Sequence, residues 1–199
     1  MIDAVIFDCD GVLADTEPLH DAATREELAA RGFPIPDSFF EQAAGMRTVD
    51  QIHALGRQFD LDPTELFAAR EARFWGTIDD RFREVAGTAA AVRQLHDAGL
   101  PVAVASSGTR RWVDYVTTRM GVNALLSASV TGDDVTKPKP DPQPYLRAAS
   151  KLNVEPSRCA VVEAPQVSCH LVGGLPAGSD PSVVGCLVLV GRDQADRPV

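Results

Sequence analysis

The sequence predicts an α/β fold with a parallel sheet, interrupted after its first strand by an α-helical insert. A short apolar strand, residues 4–7, opens the chain. Residues 17–82 show helical periodicity and no strand signal. From residue 83 onward, helices alternate with short apolar strands, a pattern typical of right-handed crossovers between parallel strands. We therefore expect an α/β core from residues 1–16 and 83–199, and a separate helical domain between them.

Helix signals follow one another through the insert. Pro18 stands at the start of the first helix and Gly32 stops it. The run from Asp62 to Glu65 is a strong helix start, because an Asp can cap the backbone and Pro63 suits the first helical position. The predicted helices of the insert cover residues 18–31, 39–44, 48–59 and 63–82.

After the insert, glycines end helices and polar residues end strands. The helix before Gly99, for example, is followed by an apolar run that stops at a serine-glycine turn. The predicted helices are 88–98, 110–120 and 143–151, and the predicted strands are 100–105, 128–131, 159–162 and 183–190.

Composition narrows the class of protein. The chain has 199 residues, 45% of them hydrophobic, which is enough for a sizeable core. Its formal net charge of -9 argues against nucleic acid and anionic membranes as partners, since both require clustered positive charge. The four cysteines lack paired metal-ligand spacing, so we expect free thiols in a reducing compartment. With no leader pattern and no long apolar run, the predicted location is cytoplasmic.

Polar residues follow several predicted core strands. Asp8 and Asp10 come directly after the first strand, at the edge where open α/β sheets bind ligands. Two close carboxylates resist joint ionisation unless a cation neutralises them, so the pair is a candidate metal and phosphoryl site. Ser106, Lys137 and Glu163 lie at or just beyond other strand ends. Taken singly, these residues could instead be a solvated Asp-rich turn, a helix cap and a loop lysine.

Four segments resemble the haloacid dehalogenase superfamily, especially its β-phosphoglucomutase and sugar-phosphatase branch. They are Phe-Asp-Cys-Asp-Gly-Val-Leu-Ala-Asp-Thr-Glu at 7–17, Val-Ala-Val-Ala-Ser-Ser-Gly at 102–108, Lys-Pro-Lys-Pro-Asp-Pro at 137–142 and Cys-Ala-Val-Val-Glu at 159–163. The resemblance extends from residue 1 to about 163, with the segments in the family's order. It implies a Rossmann-like core with an inserted α-helical cap domain.

The resemblance also implies roles for the polar residues. Asp8 would attack phosphorus to form an aspartyl-phosphate, and Asp10 would protonate the leaving oxygen and then activate water. Ser106 would hydrogen-bond a phosphoryl oxygen, and Lys137 would neutralise charge on the transferring group. The implied cofactor is Mg²⁺, held by Asp8, the backbone carbonyl of Asp10, and Glu163.

Other assignments rest on the same resemblance. Lys139 is the alternative to Lys137, and the Lys-Pro-x-Pro-Asp pattern favours Lys137. Trp75 and Trp112 are expected to serve packing rather than substrate binding. The predicted substrate contacts are Gly11, His20, Arg47 and Ser107; for His20, a position on the helix surface is equally compatible with the sequence.

The pattern departs from the family after the fourth segment. Relatives follow Glu163 with a second carboxylate, usually a direct metal ligand, and this chain has Ala164 there. Losing one of few carboxylates should weaken Mg²⁺ binding. Asp180 could substitute only if the Gly-rich segment 165–182 folds back.

The leading function is a Mg²⁺-dependent phosphatase acting on a small phosphomonoester, such as a sugar phosphate. One alternative is a phosphohexomutase, and another is an impaired member that binds a phosphorylated ligand without turnover, as Ala164 suggests. Because the only lysines are Lys137, Lys139 and Lys151, none in the predicted cap, Schiff-base cleavage of phosphonates is disfavoured. We expect a small phosphorylated metabolite as partner and neither nucleic acid nor membrane; the oligomeric state stays open.

Overall fold

A computed structural model of the protein describes residues 2–43, 48–139, 141–164 and 186–189. The chain divides into two compact units. The first contains the described residues up to Ala14 and those from Glu84 onward, and the second runs from Asp15 to Arg83. These boundaries lie within two residues of the predicted domain boundaries.

The secondary structure alternates as predicted outside the second unit, which is helical throughout its regular elements. The strands are β1 (Ala4–Phe7), β2 (Val102–Ala105), β3 (Ala128–Val130), β4 (Cys159–Glu163) and β5 (Cys186–Leu189). The helices are α1 (Glu17–Ala30), α2 (Asp37–Ala43), α3 (Thr48–Phe59), α4 (Pro63–Arg81), α5 (Thr88–Asp97), α6 (Arg110–Arg119) and α7 (Gln143–Leu152). Short 3₁₀ turns at 123–125, 132–134 and 156–158 were not predicted.

The five strands form one sheet in the order β3-β2-β1-β4-β5. Strand β1 lies at its centre and pairs in parallel with β2 and β4, and β3 pairs in parallel with β2. These four strands confirm the predicted parallel α/β fold. Strand β5 differs, since it pairs antiparallel with β4 at the edge. Hydrophobic pattern does not encode strand direction, and a single antiparallel edge strand is common on otherwise parallel sheets.

The core of the first unit explains why the strands read as continuous apolar runs. Every residue of β1 and β2 is buried, because a parallel sheet is covered on both faces. On one face, helix α7 buries Tyr145, Ala148 and Ala149 against residues of four strands. This packing holds the carboxyl ends of the strands in fixed relation to α7 and to the loop before it.

The second unit has its own apolar core among helices α1 to α4. Asp62 caps α4 as predicted, accepting hydrogen bonds from the backbone N–H groups of Thr64 and Glu65, with Pro63 at the first turn. The buried apolar side chains of this core are Leu28, Ile35, Phe40, Ile52, Leu55 and Leu66. The unit thus has a hydrophobic core of its own, as an independent helical domain does.

Several sequence-based expectations lie outside the described residues. They are Arg47, the segment 165–182 with Asp180, and the ends of the predicted strand 183–190, of which residues 186–189 are described. None of the described helices combines the length and apolar character needed to cross a membrane.

Candidate active site

Three polar residues lie at the carboxyl edge of the central strands. Phe7 pairs with Val104 of β2 and Val162 of β4, so the residues that follow these positions lie side by side. Asp8 follows β1, and its backbone N–H donates to the carbonyl of Val162 at 2.9 Å. Ser106 follows β2 and Glu163 ends β4. All three side chains are buried, although polar groups of this kind are usually exposed.

Lys139 bridges the two buried carboxylates. Its Nζ lies 2.7 Å from Oδ1 of Asp8 and 3.2 Å from Oε2 of Glu163, and its side chain is only 6% exposed. The prediction of Lys137 for this position is therefore corrected to Lys139. Lys137 is exposed in the loop before α7, and its backbone N–H donates to the side chain of Gln143, the first residue of that helix. Both lysines precede a proline, so the sequence carries no local signal that separates them.

The cluster of Asp8, Glu163 and Lys139 contains two carboxyl groups and one ammonium group. Burial raises the pKa of Asp8, the Lys139 ammonium opposes that rise, and the Asp10 carboxylate adds to it. Burial and the neighbouring Asp8 raise the pKa of Glu163 to about 8. Burial alone would lower the pKa of Lys139, but Asp8 and Glu163 outweigh it and raise that pKa. One ammonium thus serves two carboxylates, which favours one shared proton near neutral pH.

Asp10 is held by one donor in the loop after β2 and one in the first turn of α6. The hydroxyl of Ser106 donates to Oδ2 of Asp10 at 3.2 Å and accepts from the N–H of Gly108 at 2.9 Å. The indole Nε1–H of Trp112 donates to Oδ1 of Asp10 at 2.9 Å. Ser106 is not the helix cap considered above, because Thr109 caps α6. The sequence analysis assigned Trp112 to packing and so missed this contact; its place in the first turn after the serine loop was the available signal.

Tyr145 is a second residue that sequence reasoning missed. Its hydroxyl donates to Oε2 of Glu163, and its ring lies beneath Lys139, with Nζ 4.8 Å from the ring centroid. Tyr145 is fully buried on α7. The contacts of Glu163 with Tyr145 and Lys139 favour a role in holding the lysine over the predicted role as a metal ligand.

Gly11 permits the turn that follows the two aspartates. Its φ of +71° lies in the left-handed region, which residues with a side chain rarely adopt. A Cβ at Gly11 would also lie 3.0 Å from the Cβ of Ala164, so the turn packs closely against the end of β4. The backbone conformation and the close packing thus explain why residue 11 is a glycine. Its predicted substrate contact stays a prediction.

The remaining predicted residues are placed as follows. Ser107 is exposed directly after Ser106. His20 lies on α1 of the second unit, where it stacks on Phe74 with ring centroids 4.6 Å apart. The predicted substrate contacts of Ser107 and His20 stay predictions, and Arg47 lies outside the described residues.

The oxygen chemistry of this edge fits a magnesium ion bound with few protein ligands. No group of three or more His, Cys, Asp or Glu side chains forms a metal site among the described residues. Mg²⁺ is nevertheless commonly held by one or two carboxylates, with water and substrate phosphate completing its shell. Asp8 supplies such a carboxylate, and Ala164 supplies none at the position where the family resemblance implies one. The donors present therefore fit the ion, with fewer protein ligands than the resemblance implies.

Comparison with protein families agrees with this geometry. The family described as haloacid dehalogenase-like hydrolase matches residues 2–163, which include β1 through β4 and the whole helical unit. The chain belongs to this family. The match ends at Glu163, directly before the departure at Ala164.

Individual relatives of this haloacid dehalogenase-like hydrolase are phosphatases by name. The chain is 30% identical over 164 residues to validoxylamine A 7'-phosphate phosphatase of Streptomyces hygroscopicus subsp. limoneus, covering 82% of this chain and 77% of the relative. It is 31% identical over 170 residues to hexitol phosphatase B of Escherichia coli K12, covering 80% and 74%. Among solved structures, CbbY from Rhodobacter sphaeroides in complex with phosphate has a TM-score of 0.71 and 26% identity, covering 83% and 80%.

Proposed function

We propose that this protein hydrolyses a small phosphate monoester, with Asp8 as the nucleophile that carries the phosphoryl group. The observation that carries the proposal is the buried Asp8 paired with Lys139, at a sheet edge that also presents Asp10 and Ser106. A carboxylate that attacks an anionic ester needs its own charge to be partly neutralised, and Lys139 meets this need. The phosphatase names of the relatives support the same reaction class.

The first half-reaction transfers the phosphoryl group to the protein. A carboxylate oxygen of Asp8 attacks phosphorus, and the bond from phosphorus to the leaving oxygen breaks. Asp10 donates its proton to that oxygen, so the alcohol departs neutral. Lys139 stabilises the charge on the attacking carboxylate and on the phosphoryl oxygens, and Ser106 hydrogen-bonds to one of them.

The second half-reaction returns the protein to its starting state. Asp10, now ionised, takes a proton from water as the water oxygen attacks phosphorus. The bond between phosphorus and the Asp8 carboxylate breaks, releasing inorganic phosphate and restoring both aspartates to their initial protonation states. The same residue serves as acid and then as base, so the donors that orient Asp10 matter in both steps.

Magnesium belongs to this proposal as the implied cofactor. The carboxylate of Asp8 and the backbone carbonyl of Asp10 would hold it. When bound, the ion reduces the repulsion between the nucleophile and a phosphate dianion. With Ala164 in place of a further ligand, we expect weak binding that depends on substrate phosphate.

The substrate we propose is a small phosphorylated polyol or sugar. The relative names validoxylamine A 7'-phosphate phosphatase and hexitol phosphatase B support this class. The helical unit, with its predicted contacts His20 and Arg47, would supply specificity. The cytoplasmic location predicted above stays part of the proposal, and the buried free thiols of Cys9 and Cys159 are compatible with it.

A second candidate function follows from Ala164. A chain that has lost a metal ligand could bind a phosphorylated ligand without turning it over. In this second function the protein keeps its fold and its phosphate site but does not hydrolyse the bound ester.

One experiment separates the two functions. Phosphate release from a panel of sugar and polyol phosphates is measured with Mg²⁺ for the parent, Asp8→Asn and Ala164→Asp. The proposal expects an active parent, an Asp8→Asn variant slower by at least about a thousandfold, and a lower Mg²⁺ requirement in Ala164→Asp. An inactive parent with an active Ala164→Asp variant would instead overturn the hydrolase proposal and support the binding function. Interconversion of sugar phosphates without net phosphate release would favour the mutase.

A further inference from the structure

Asp10 has a partner that the family motifs do not include. Its two carboxylate oxygens accept from different donors: Oδ2 from the Ser106 hydroxyl at 3.2 Å and Oδ1 from the Trp112 indole at 2.9 Å. A carboxylate with one donor on each oxygen is fixed in rotation about its terminal bond, as well as in position. The Trp112 indole, as the second donor, therefore fixes the directions in which the two carboxyl oxygens of Asp10 point.

The indole is held in place by its surroundings. Trp112 is 4% exposed, in the first turn of α6, and its backbone N–H donates to the Thr109 hydroxyl at 3.3 Å. Gly108 leaves the room that the ring occupies, since a Cβ there would lie 2.6 Å from Cδ1 of Trp112. A buried indole N–H without an acceptor would be costly, so the sequence that places Trp112 here also requires the acceptor.

We propose that Trp112 is a positioning residue for Asp10 in the acid and base steps of the proposed phosphatase reaction. The inference rests on that proposed function. An indole N–H is a donor only and does not exchange its proton with substrate at ordinary pH. Trp112 therefore acts through Asp10, by aiming the carboxyl group toward the leaving oxygen and then toward water.

Comparing two esters isolates this role. An alkyl phosphate, such as a hexitol phosphate, needs its leaving oxygen protonated, whereas the p-nitrophenolate of p-nitrophenyl phosphate leaves readily as an anion. In the first half-reaction, a misaimed Asp10 should therefore slow the alkyl ester far more than the aryl ester. A variant that merely loosens the fold should slow both esters by the same factor.

The chain offers a matched control for the substitution. It contains two tryptophans. Trp75 in the second unit also donates its indole N–H to a carboxylate, that of Glu71 at 3.1 Å. Trp112→Phe and Trp75→Phe thus remove the same kind of hydrogen bond, one at the site and one in the helical unit.

The kinetic test measures kcat and KM of the parent and both variants with both esters. Trp112→Phe should lower kcat/KM for the alkyl ester about tenfold or more and leave kcat/KM for the aryl ester nearly unchanged, because kcat/KM reports the first half-reaction and not the shared hydrolysis of the aspartyl-phosphate. Trp75→Phe should leave the ratio of the two kcat/KM values at the parent's level. Equal losses of kcat/KM on both esters, or no loss on either, would overturn the positioning role. A parent inactive on both esters would overturn the proposed function itself and, with it, this role.

A spectroscopic test examines the contact without activity and with Trp112 in place. The two indole N–H groups give two cross-peaks in a ¹H–¹⁵N spectrum, and Trp75→Phe identifies which belongs to Trp112. Asp10→Ala should move the Trp112 peak toward the position of an unbonded indole and leave the Trp75 peak in place. Glu71→Ala should do the reverse. A Trp112 peak that does not move in Asp10→Ala would overturn the proposal.

Discussion

The two units each bury a cation, and they differ in how far the carboxylates around that cation are buried. In the first unit, the site cluster places Lys139 between Asp8 and Glu163, whose side chains are 4% and 2% exposed. In the second unit, the helical cluster places the fully buried Arg70 beside Glu71, whose side chain is 32% exposed, and Asp21 also attracts the charge of Arg70. A carboxylate that keeps contact with water ionises readily beside its cation, whereas two carboxylates buried around one cation favour the binding of a further cation or of a proton.

In the helical cluster, the Arg70 guanidinium has hydrogen-bond acceptors besides Glu71. The other guanidinium contacts of Arg70 go to the Thr24 hydroxyl at 3.4 Å, the backbone carbonyl of His20 at 3.2 Å and Nδ1 of His20 at 2.6 Å. A guanidinium only donates, so Nδ1 of His20 accepts, and the proton of the neutral ring lies on Nε2. Burial lowers the pKa of Arg70, and Glu71 opposes that change. Because arginine keeps its charge in proteins, we expect Arg70 to stabilise the helical unit at every ordinary pH.

The site cluster, by contrast, buries both of its carboxylates. Burial raises the pKa of Asp8 and that of Glu163, and a neighbouring carboxylate adds to each rise. Strong perturbation of this kind, at the carboxyl edge of a parallel sheet, is typical of a functional site. The comparison indicates that carboxylates buried together, rather than a buried cation alone, identify the chemistry in this protein.

Removing the cation from the site cluster should have the largest effect. We expect Lys139→Met to lower phosphate release by at least about a hundredfold, since two buried carboxylates would then face each other and the substrate without compensation. Lys137→Met is the matched control, and this exposed residue should leave release within about twofold of the parent. Comparable losses in both variants, or loss only in Lys137→Met, would contradict the assignment of Lys139.

Removing the cation from the helical cluster should affect stability instead. We expect Arg70→Met to lower the free energy of unfolding by about 3 kcal/mol, because Glu71 and Nδ1 of His20 lose their donor. Urea unfolding measures this change. Arg81→Met, which breaks the partly exposed pair of Arg81 with Glu26, should cost no more than about 1 kcal/mol. A cost for Arg70→Met as small as that of the control would show that burial does not distinguish the two pairs.

The smallest expected effect concerns the pH dependence of stability. The folded protein raises the pKa of Glu163 from its ordinary 4.5 to about 8, so between these values it holds a proton that the unfolded chain has released. The stabilisation is complete below pH 4.5 and is lost as the pH rises toward 8. Glu163→Gln stays neutral, so its stability relative to the parent should increase from about pH 5 to about pH 8, by about 1 kcal/mol or more.

Urea unfolding of the metal-free proteins across that range checks this sign. Glu27→Gln is the control. Burial raises the pKa of Glu27, but hydrogen bonds from Arg31 and Arg73 outweigh it and lower that pKa below 4.5. Glu27 is therefore ionised in both the folded and unfolded states above about pH 5, and its offset from the parent should stay constant. A constant offset for Glu163→Gln as well would contradict the raised pKa.

The fold was predictable because its signals are local. The capped start at Asp62, the stop at Gly32 and the apolar runs of β1 and β2 each determine an element from neighbouring residues, and the structure confirms them. The direction of β5 was not predictable, because pairing direction depends on a connection rather than on the strand's own residues.

The candidate site was predictable where one residue follows one strand. Asp8, Ser106 and Glu163 lie where the strand ends place them. The lysine was not, because two Lys-Pro steps lie in one loop and the contacts that select Lys139, with Asp8, Glu163 and Tyr145, join residues distant in sequence. Trp112 was missed because its hydrogen bond to Asp10 joins residues 102 positions apart.

The central claim is that Asp8 carries the phosphoryl group, and trapping it there tests the claim most directly. Turnover of a sugar phosphate is quenched, and the protein is treated with borohydride, which reduces an aspartyl-phosphate to homoserine. Peptide mass spectrometry then locates the modified residue. The account predicts homoserine at position 8 in the parent, only when substrate is present, and none in Asp8→Asn. Phosphate release by the parent with Asp8 unmodified, or with the modification at another carboxylate, would contradict it.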